Sequence, residues 1–216
     1  MPDAAVVRNS YLAALRAGDR RRAFAVVEDA RGQGLDVAAL YLDVLQQSLR
    51  EVGRLWQENE MTVAEEHLAT AITQMVMARV HADVAADVTQ GARSLVAACA
   101  DTERHDVGLR MVCDLLERDG WDVAYLGASV PAESLVHLVR ERRPDAVALS
   151  ASIAPHLPQL GTMIRCVREA TGDAAPFILV GGRPFLDEPQ LAHRLGADAT
   201  APDALAAVAI LRERVA

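Results

Sequence analysis

The stretch Asp101-Thr102-Glu103-Arg104-His105-Asp106-Val107-Gly108 carries the residues best suited to chemistry in this 216-residue chain. A histidine stands two residues after an acid and three before a glycine. A loop imidazole can offer one ring nitrogen to a metal, while a nearby carboxylate holds the other nitrogen and raises the basicity of the ring. A glycine at that place lets a bulky flat ligand approach the backbone. A loop that cradles phosphate would be rich in glycine, and this one is not. Taken alone, His105 has two readings, a metal ligand and an ordinary surface-loop histidine. Zinc is poorly served, because no second and third ligand stands at helical or loop spacing.

Three further groups draw attention. Ser150-Ala151-Ser152 and Gly181-Gly182 follow in the second half of the chain. The glycine pair by itself also fits a plain strand-to-helix turn. In the first half, Trp56 is followed after nine residues by Glu66-His67. Taken alone, these read most simply as a bundle-core aromatic and two exposed helix residues. Ser150 and Ser152 have no His-Asp partnership at a recognisable spacing, so no catalytic set is visible and the chain is read as a non-enzyme. His81, His137, His156 and His193 are scattered and read as surface or helix residues.

Two sets of elements must position these groups. Residues 1 to about 88 show no strand by period or turn signals. Two short amphipathic helices break near Gly18-Asp19, and Gly32 and Gly34 end the second. Asp36 caps a third helix running to about Glu58, with Leu40, Leu42, Leu45, Leu49, Val52 and Leu55 among its apolar residues. Asn59-Glu60-Met61 form a tight link. Thr62 followed by Glu65 reads as a capping box, and the fourth helix it opens carries Leu68, Ile72, Met75, Val76 and Val80 on one broad face. Short links predict an antiparallel four-helix bundle over residues 1–90.

Beyond that point, strand-length apolar runs appear at 94–100, 121–126, 145–149 and 177–180, with a weaker fifth at 197–200. Helical segments separate them at about 106–119, 131–142, 156–170, 187–195 and 202–214. Strands alternating with helices predict a five-stranded parallel sheet in a flavodoxin-like α/β domain over residues 91–216. Gly91-Ala92-Arg93 is the expected join.

Composition narrows the function. The formal net charge of −8 and the absence of any basic cluster beyond Arg20-Arg21-Arg22 argue against direct nucleic-acid binding. Three cysteines, Cys99, Cys113 and Cys166, have no CxxC spacing and lie in apolar stretches, which suits buried packing in a reducing compartment. No stretch is long and apolar enough to span a membrane and no signal peptide is visible, so a soluble, cytoplasmic protein is expected.

In ordered combination, Glu103-x-His105-x-x-Gly108, Ser150-Ala151-Ser152 and Gly181-Gly182 resemble the cobalamin-binding domains of the methionine synthase and corrinoid-protein type. Their pattern is Asp-x-His-x-x-Gly, then Ser-x-Leu or Ser-x-Thr, then Gly-Gly, and the match in order and spacing covers the whole second half. The resemblance implies that His105 replaces the dimethylbenzimidazole base as lower ligand of cobalt, with Glu103 as its partner. Arg104, Asp106, Val107 and Gly108 would lie against the corrin. Ser150, Ser152, Gly181 and Gly182 would line the groove for the nucleotide tail. The chain departs from the pattern twice, with Glu in place of the first Asp and Ser152 in place of Leu or Thr.

Within that family, Trp56 with Glu66-His67 resembles the helical cap of light-sensing, adenosylcobalamin-dependent regulators of the CarH type. That likeness implies Trp56, Glu66 and His67 over the upper face of adenosylcobalamin. Gly108-Leu109 and Gly120-Trp121 leading to Tyr125-Leu126-Gly127 look like the same branch, whereas methyl carriers usually place a Lys where Leu109 stands. CarH-type proteins also carry an N-terminal helix-turn-helix domain, for which this chain shows no room, and a His after the Trp, where this chain has Gln57. The implied function is a light-sensing or regulatory module in which breakage of the cobalt–carbon bond alters domain packing or association with a second copy or a separate effector. Photocobilin-type sensors share this layout, which makes biliverdin a candidate second chromophore, although no separate bilin motif is visible. The alternatives are a corrinoid methyl-carrier subunit of a methyltransferase and a cobalamin-dependent anti-repressor.

Overall fold

The computed structural model describes residues 2–82 and 91–215. The chain divides into two compact units, Met1–Val84 and Ala85–Ala216. The expected boundary at residues 90 and 91 meets the segment 83–90, which lies outside the described residues.

The first unit is helical. Helix α1 (Ala4–Arg16) is capped by Asp3, whose side chain accepts from the Ala5 N–H at 2.8 Å. Gly18, in the left-handed region at φ +62, turns the chain, and Asp19 caps α2 (Arg20–Gly32) by accepting from the Arg22 N–H at 3.0 Å. Asp36 opens the next helical run, accepting from the Ala38 N–H at 2.9 Å. That run is not uniform. A short α3 (Val37–Ala39) passes into a π-helical stretch, Leu40–Leu45, and then into α4 (Gln46–Gln57). Sequence periodicity gives no sign of the wide turn.

Thr62 and Glu65 form the expected capping box at α5 (Val63–Ala82): the Thr62 N–H donates to Glu65 at 2.7 Å and the Glu65 N–H to Thr62 Oγ1 at 3.3 Å. The buried face of α5 is Ala69, Ile72, Thr73, Val76, Met77 and Val80. Leu68 and Met75 are exposed, which corrects their expected place on that face. The i, i+3, i+4 progression through Ala69, Ile72, Thr73 and Val76 sets the stripe, and Leu68 and Met75 each fall one residue off it. Thr73 earns its buried position by bonding. Its hydroxyl donates to the Ala69 carbonyl at 2.9 Å and accepts from the buried Tyr11 hydroxyl at 3.1 Å.

The second unit is an α/β layer structure. Strands β1 (Ser94–Cys99), β2 (Asp122–Tyr125), β3 (Ala146–Ser150), β4 (Phe177–Gly181) and β5 (Ala199–Thr200) form one parallel sheet in the order β2-β1-β3-β4-β5. This is the flavodoxin-like order. Helices α6 (Val107–Arg118), α7 (Ala132–Arg142), α8 (Leu157–Thr171) and α11 (Ala204–Arg214) alternate with the strands. In place of one helix near 187–195 there are two short ones, α9 (Arg183–Asp187) and α10 (Leu191–Arg194). Pro189 between them lacks the N–H needed to continue a helix.

Strands β1 and β3 are apolar on both faces because helices cover both. Val96, Ala98, Val147, Leu149, Ile178 and Val180 point to the layer filled by Leu135 and Val139 of α7 and Leu160, Met163, Ile164 and Val167 of α8. Helices α6 and α11 pack together, with α6 against β1 and β3. Among the described residues no helix is long and apolar enough to cross a membrane.

Candidate functional site

Parallel strands send their following loops to one edge of the sheet, and ligands collect where the strand order reverses, here between β1 and β3. The three groups singled out in the second half lie at that edge. Glu103, His105 and Gly108 follow β1, Ser150 ends β3, and Gly181 ends β4. In register, Cys99 stands opposite Ser150, and Ser150 opposite Gly181. Ladder bonds continue into the loops: the Ala100 N–H donates to Ser150 O at 2.9 Å and the Ala151 N–H to Gly181 O at 3.1 Å.

Glu103 organises the site. Its side chain is 0% exposed, and each carboxylate oxygen takes two donors. Oε1 accepts from the His105 N–H at 2.9 Å and contacts His105 Nδ1 at 2.5 Å. Oε2 accepts from the Ser152 N–H at 2.6 Å and contacts His156 Nδ1 at 2.9 Å. Burial opposes ionisation of Glu103. The bonds from the His105 ring, the His156 ring and the N–H groups of His105 and Ser152 outweigh it and hold the carboxyl well below the usual carboxylate range. An ionised carboxylate can only accept, so both rings carry their proton on Nδ1. Nε2 is then the lone-pair nitrogen of His105, whose side chain stays 61% exposed. The longer acid reaches the imidazole directly.

The loop has a second support from the β2 side. Thr102 at φ 70 and Ser129 at φ 54 are both non-glycine residues in the left-handed region. The Thr102 N–H donates to Ser129 Oγ at 3.1 Å, and the Ser129 N–H donates to the Glu103 carbonyl at 2.9 Å. Asp106 accepts from the Tyr125 hydroxyl at 2.9 Å, and Arg110 lies 5.2 Å from the centre of the Tyr125 ring. Arg104 is exposed and Val107 half-buried. Beneath the loop, burial and then the charges of Asp106 and Glu103 push the Cys99 thiol up to about 12. The thiol is buried below the loop.

The glycines divide by cause. A Cβ on Gly182, at φ +120, would stand 2.0 Å from the Ala151 carbonyl oxygen, so this glycine is required by the approach of the β4 loop to the β3 loop. A Cβ on Gly108 or Gly181 would meet nothing within 4 Å. The protein itself does not demand glycine there, and both leave open space beside the His105 edge.

Together these residues fit a metal that arrives with most of its ligands in place. The loop offers one oriented imidazole and bare backbone around it, not a closed cage of protein donors.

In the helical unit, Trp56 is 45% exposed near the end of α4, which corrects the simplest expectation of a bundle-core aromatic. Glu66 bridges its own helix, contacting His67 Nδ1 at 2.5 Å and accepting from the Thr70 hydroxyl at 3.0 Å. His67 is exposed. His156 is the residue that sequence reasoning missed. It was expected on the surface, yet its side chain is 15% exposed and bonded to Glu103. The one signal for it was its place four residues past Ser152, in the loop after a central strand.

Two B12 binding domain families match the chain, one over residues 93–209, more than half of its length, and one over residues 7–81. The chain is 32% identical over 194 residues to the HTH-type transcriptional repressor CarH of Myxococcus xanthus, covering 90% of this chain and 63% of the repressor. It thus spans less than two thirds of that relative. It is 27% identical to dimethylamine corrinoid protein 1 of Methanosarcina acetivorans, covering 89% of each chain. Among solved structures, the monomethylamine corrinoid protein of Methanosarcina barkeri aligns with a TM-score of 0.85 at 18% identity, over 96% of this chain and 98% of that one.

Proposed function

This chain belongs to the B12 binding domain family, and on that premise we propose that it holds a cobalamin from below through His105 and signals, through its helical unit, whether light has acted on the upper side of the cofactor. The carrying observation is the pair Glu103–His105, a buried carboxylate on Nδ1 of an exposed ring at the switch point of the sheet. Glu103 fixes the tautomer and the angle of the ring, so that Nε2 is presented without an ordering cost at the moment of binding. Gly108 and Gly181 leave room for the flat macrocycle and its tail. Ser150 and Ser152 stand along the route of the tail.

For the upper side, the reading places the helical unit as a cap, with Trp56, Glu66 and His67 facing an adenosyl group. The exposure of Trp56 and His67 supports it, since neither is consumed by the core of its own unit. When bound, adenosylcobalamin would supply a visible-light-absorbing centre with a weak cobalt–carbon bond. Loss of the group against Trp56 would let the two units repack, and the change would pass to a second copy or a separate effector. The test is to load the protein with adenosylcobalamin in the dark, then record its absorption spectrum and its mass in solution before and after illumination. Both should change. If neither does, the light-sensing reading is lost.

A methyl-carrier subunit is the second reading. It is favoured by the match to the dimethylamine corrinoid protein over 89% of both chains. Methyl transfer from the methylated protein to a thiol acceptor, in the presence of a partner methyltransferase, would decide for it. Leu109, which is buried, speaks for the regulator instead.

A further inference from the structure

We propose that His156 is a positioning residue for the cobalt ligand: from the loop after β3 it fixes Glu103, and through Glu103 the ring of His105. The inference rests on the reading of His105 as the lower ligand.

The two oxygens of Glu103 serve two different loops. Oε1 is taken by the β1 loop, through the main chain and ring of His105. Oε2 is taken by the β3 loop, through the Ser152 N–H and the His156 ring. His156 closes a 3₁₀ turn, Ala154–His156, directly before α8, and its N–H is tied back to the Ile153 carbonyl at 3.1 Å. It is therefore held by a helix start and not by a mobile tip.

A glutamate has one more rotatable bond than an aspartate, and its terminal torsion is broad. A Glu in the first position of the His-x-x-Gly pattern is thus harder to aim than an Asp. The second ring supplies what the longer side chain lacks. With both Oε2 donors in place the carboxylate plane is fixed, and Oε1 points at His105 Nδ1. Without His156, one backbone donor remains on Oε2, the carboxylate can turn, and the hold on His105 loosens. The departure from Asp to Glu and the presence of His156 are two halves of one arrangement.

The test uses the full chain labelled with nitrogen-15, loaded with hydroxocobalamin and reduced to the Co(II) state. In its electron paramagnetic resonance spectrum a protein nitrogen on cobalt splits the signal into doublets, and the cofactor's own base splits it into triplets. His156→Leu should weaken cobalamin binding about tenfold, the usual cost of losing a partner of a metal ligand, and should shift signal from doublet to triplet. His156→Gln, which keeps a donor for Oε2, should restore most of both. In a Glu103→Gln background, His156→Leu should add no further loss. A His156→Leu protein with unchanged affinity and a full doublet overturns the proposal, and so do losses that add independently of Glu103. Should the Leu variant fail to fold, His156→Ala, which also removes the Oε2 donor, takes its place alone and in the Glu103→Gln background. His105→Ala separates the two readings. If it keeps the doublet, the ligand assignment itself has failed; if it loses the doublet while the His156 variants do not, only the role of His156 has.

Discussion

The loop after β1 and the end of α4 with the start of α5 hold the two groups of side chains most suited to a ligand, and they are built in opposite ways. In the α/β unit, Glu103 is buried, accepts four hydrogen bonds and fixes the ring beside it. In the helical unit, Trp56 and His67 are exposed, and among the described residues the carboxylate of Glu66 is engaged with neighbours on its own helix. The first group is organised by the fold before any ligand arrives. The second is less tightly held by the fold. On the proposed reading, the first group would hold the cofactor and the second, less constrained, would be free to respond to it.

The sharpest way to break this contrast is at the glycines of the rigid side. Gly182→Ala forces a Cβ into the Ala151 carbonyl at positive φ and should cost about 3 kcal/mol of stability, read by urea unfolding. His105→Ala removes one donor from the buried Glu103 carboxylate and should cost about 1–2 kcal/mol of stability, while weakening hydroxocobalamin binding on the order of 100-fold in a spectral titration. Unchanged affinity would remove the lower-ligand assignment.

Glu103 ties stability to pH. Its folded-state carboxyl lies below the ordinary range, so the stabilisation it contributes is complete above about pH 5 and is lost as pH falls through the carboxylate range toward the folded value. Glu103→Gln should therefore flatten the acid limb of the stability profile between about pH 5 and 3, checked by thermal unfolding across that interval. Gly108→Ala sharpens the contrast with Gly182. It lies in the first turn of α6 with open space where the methyl would go, so it should gain about 0.5–1 kcal/mol of stability while lowering cobalamin affinity. The smallest effect belongs to the helical unit. Trp56→Ala should change the stability of the unloaded protein by no more than about 0.5 kcal/mol, yet alter the spectral response of the adenosylcobalamin-loaded protein to light.

The layers and the sheet order were legible in the sequence, because a fully covered parallel strand must read as a continuous apolar run and a capped helix announces its start. The caps at Asp36 and Thr62 lie where turn chemistry places them, while those at Asp3 and Asp19 add to a reading that had only a break at Gly18-Asp19. The pairing of Glu103 with His105 was legible too, since both sit on one short loop. What was not legible spans the chain. The bond from His156 to Glu103 joins residues 53 apart, and only the register of β1 beside β3 brings them together. The exposure of Leu68 and Met75 was misjudged because α5 is apolar on more than one side, so hydrophobicity alone does not fix its inward stripe. The need for glycine at Gly182 comes from the approach of Ala151, a contact between two loops that the sequence does not announce.

The π-helical stretch Leu40–Leu45 gives the long helical run a store of slack. A π turn accommodates one residue more than an α turn spanning the same length. A single deletion inside 40–45 could be absorbed by tightening that turn, leaving Val52 and Leu55 facing inward and Trp56 outward. The same deletion between 46 and 51 could draw on that reserve only by rotating the residues between the turn and the deletion by about 100°, Ser48 of the buried face among them. A deletion is thus expected to cost least inside the π turn and more with each buried residue that lies between the turn and the deletion.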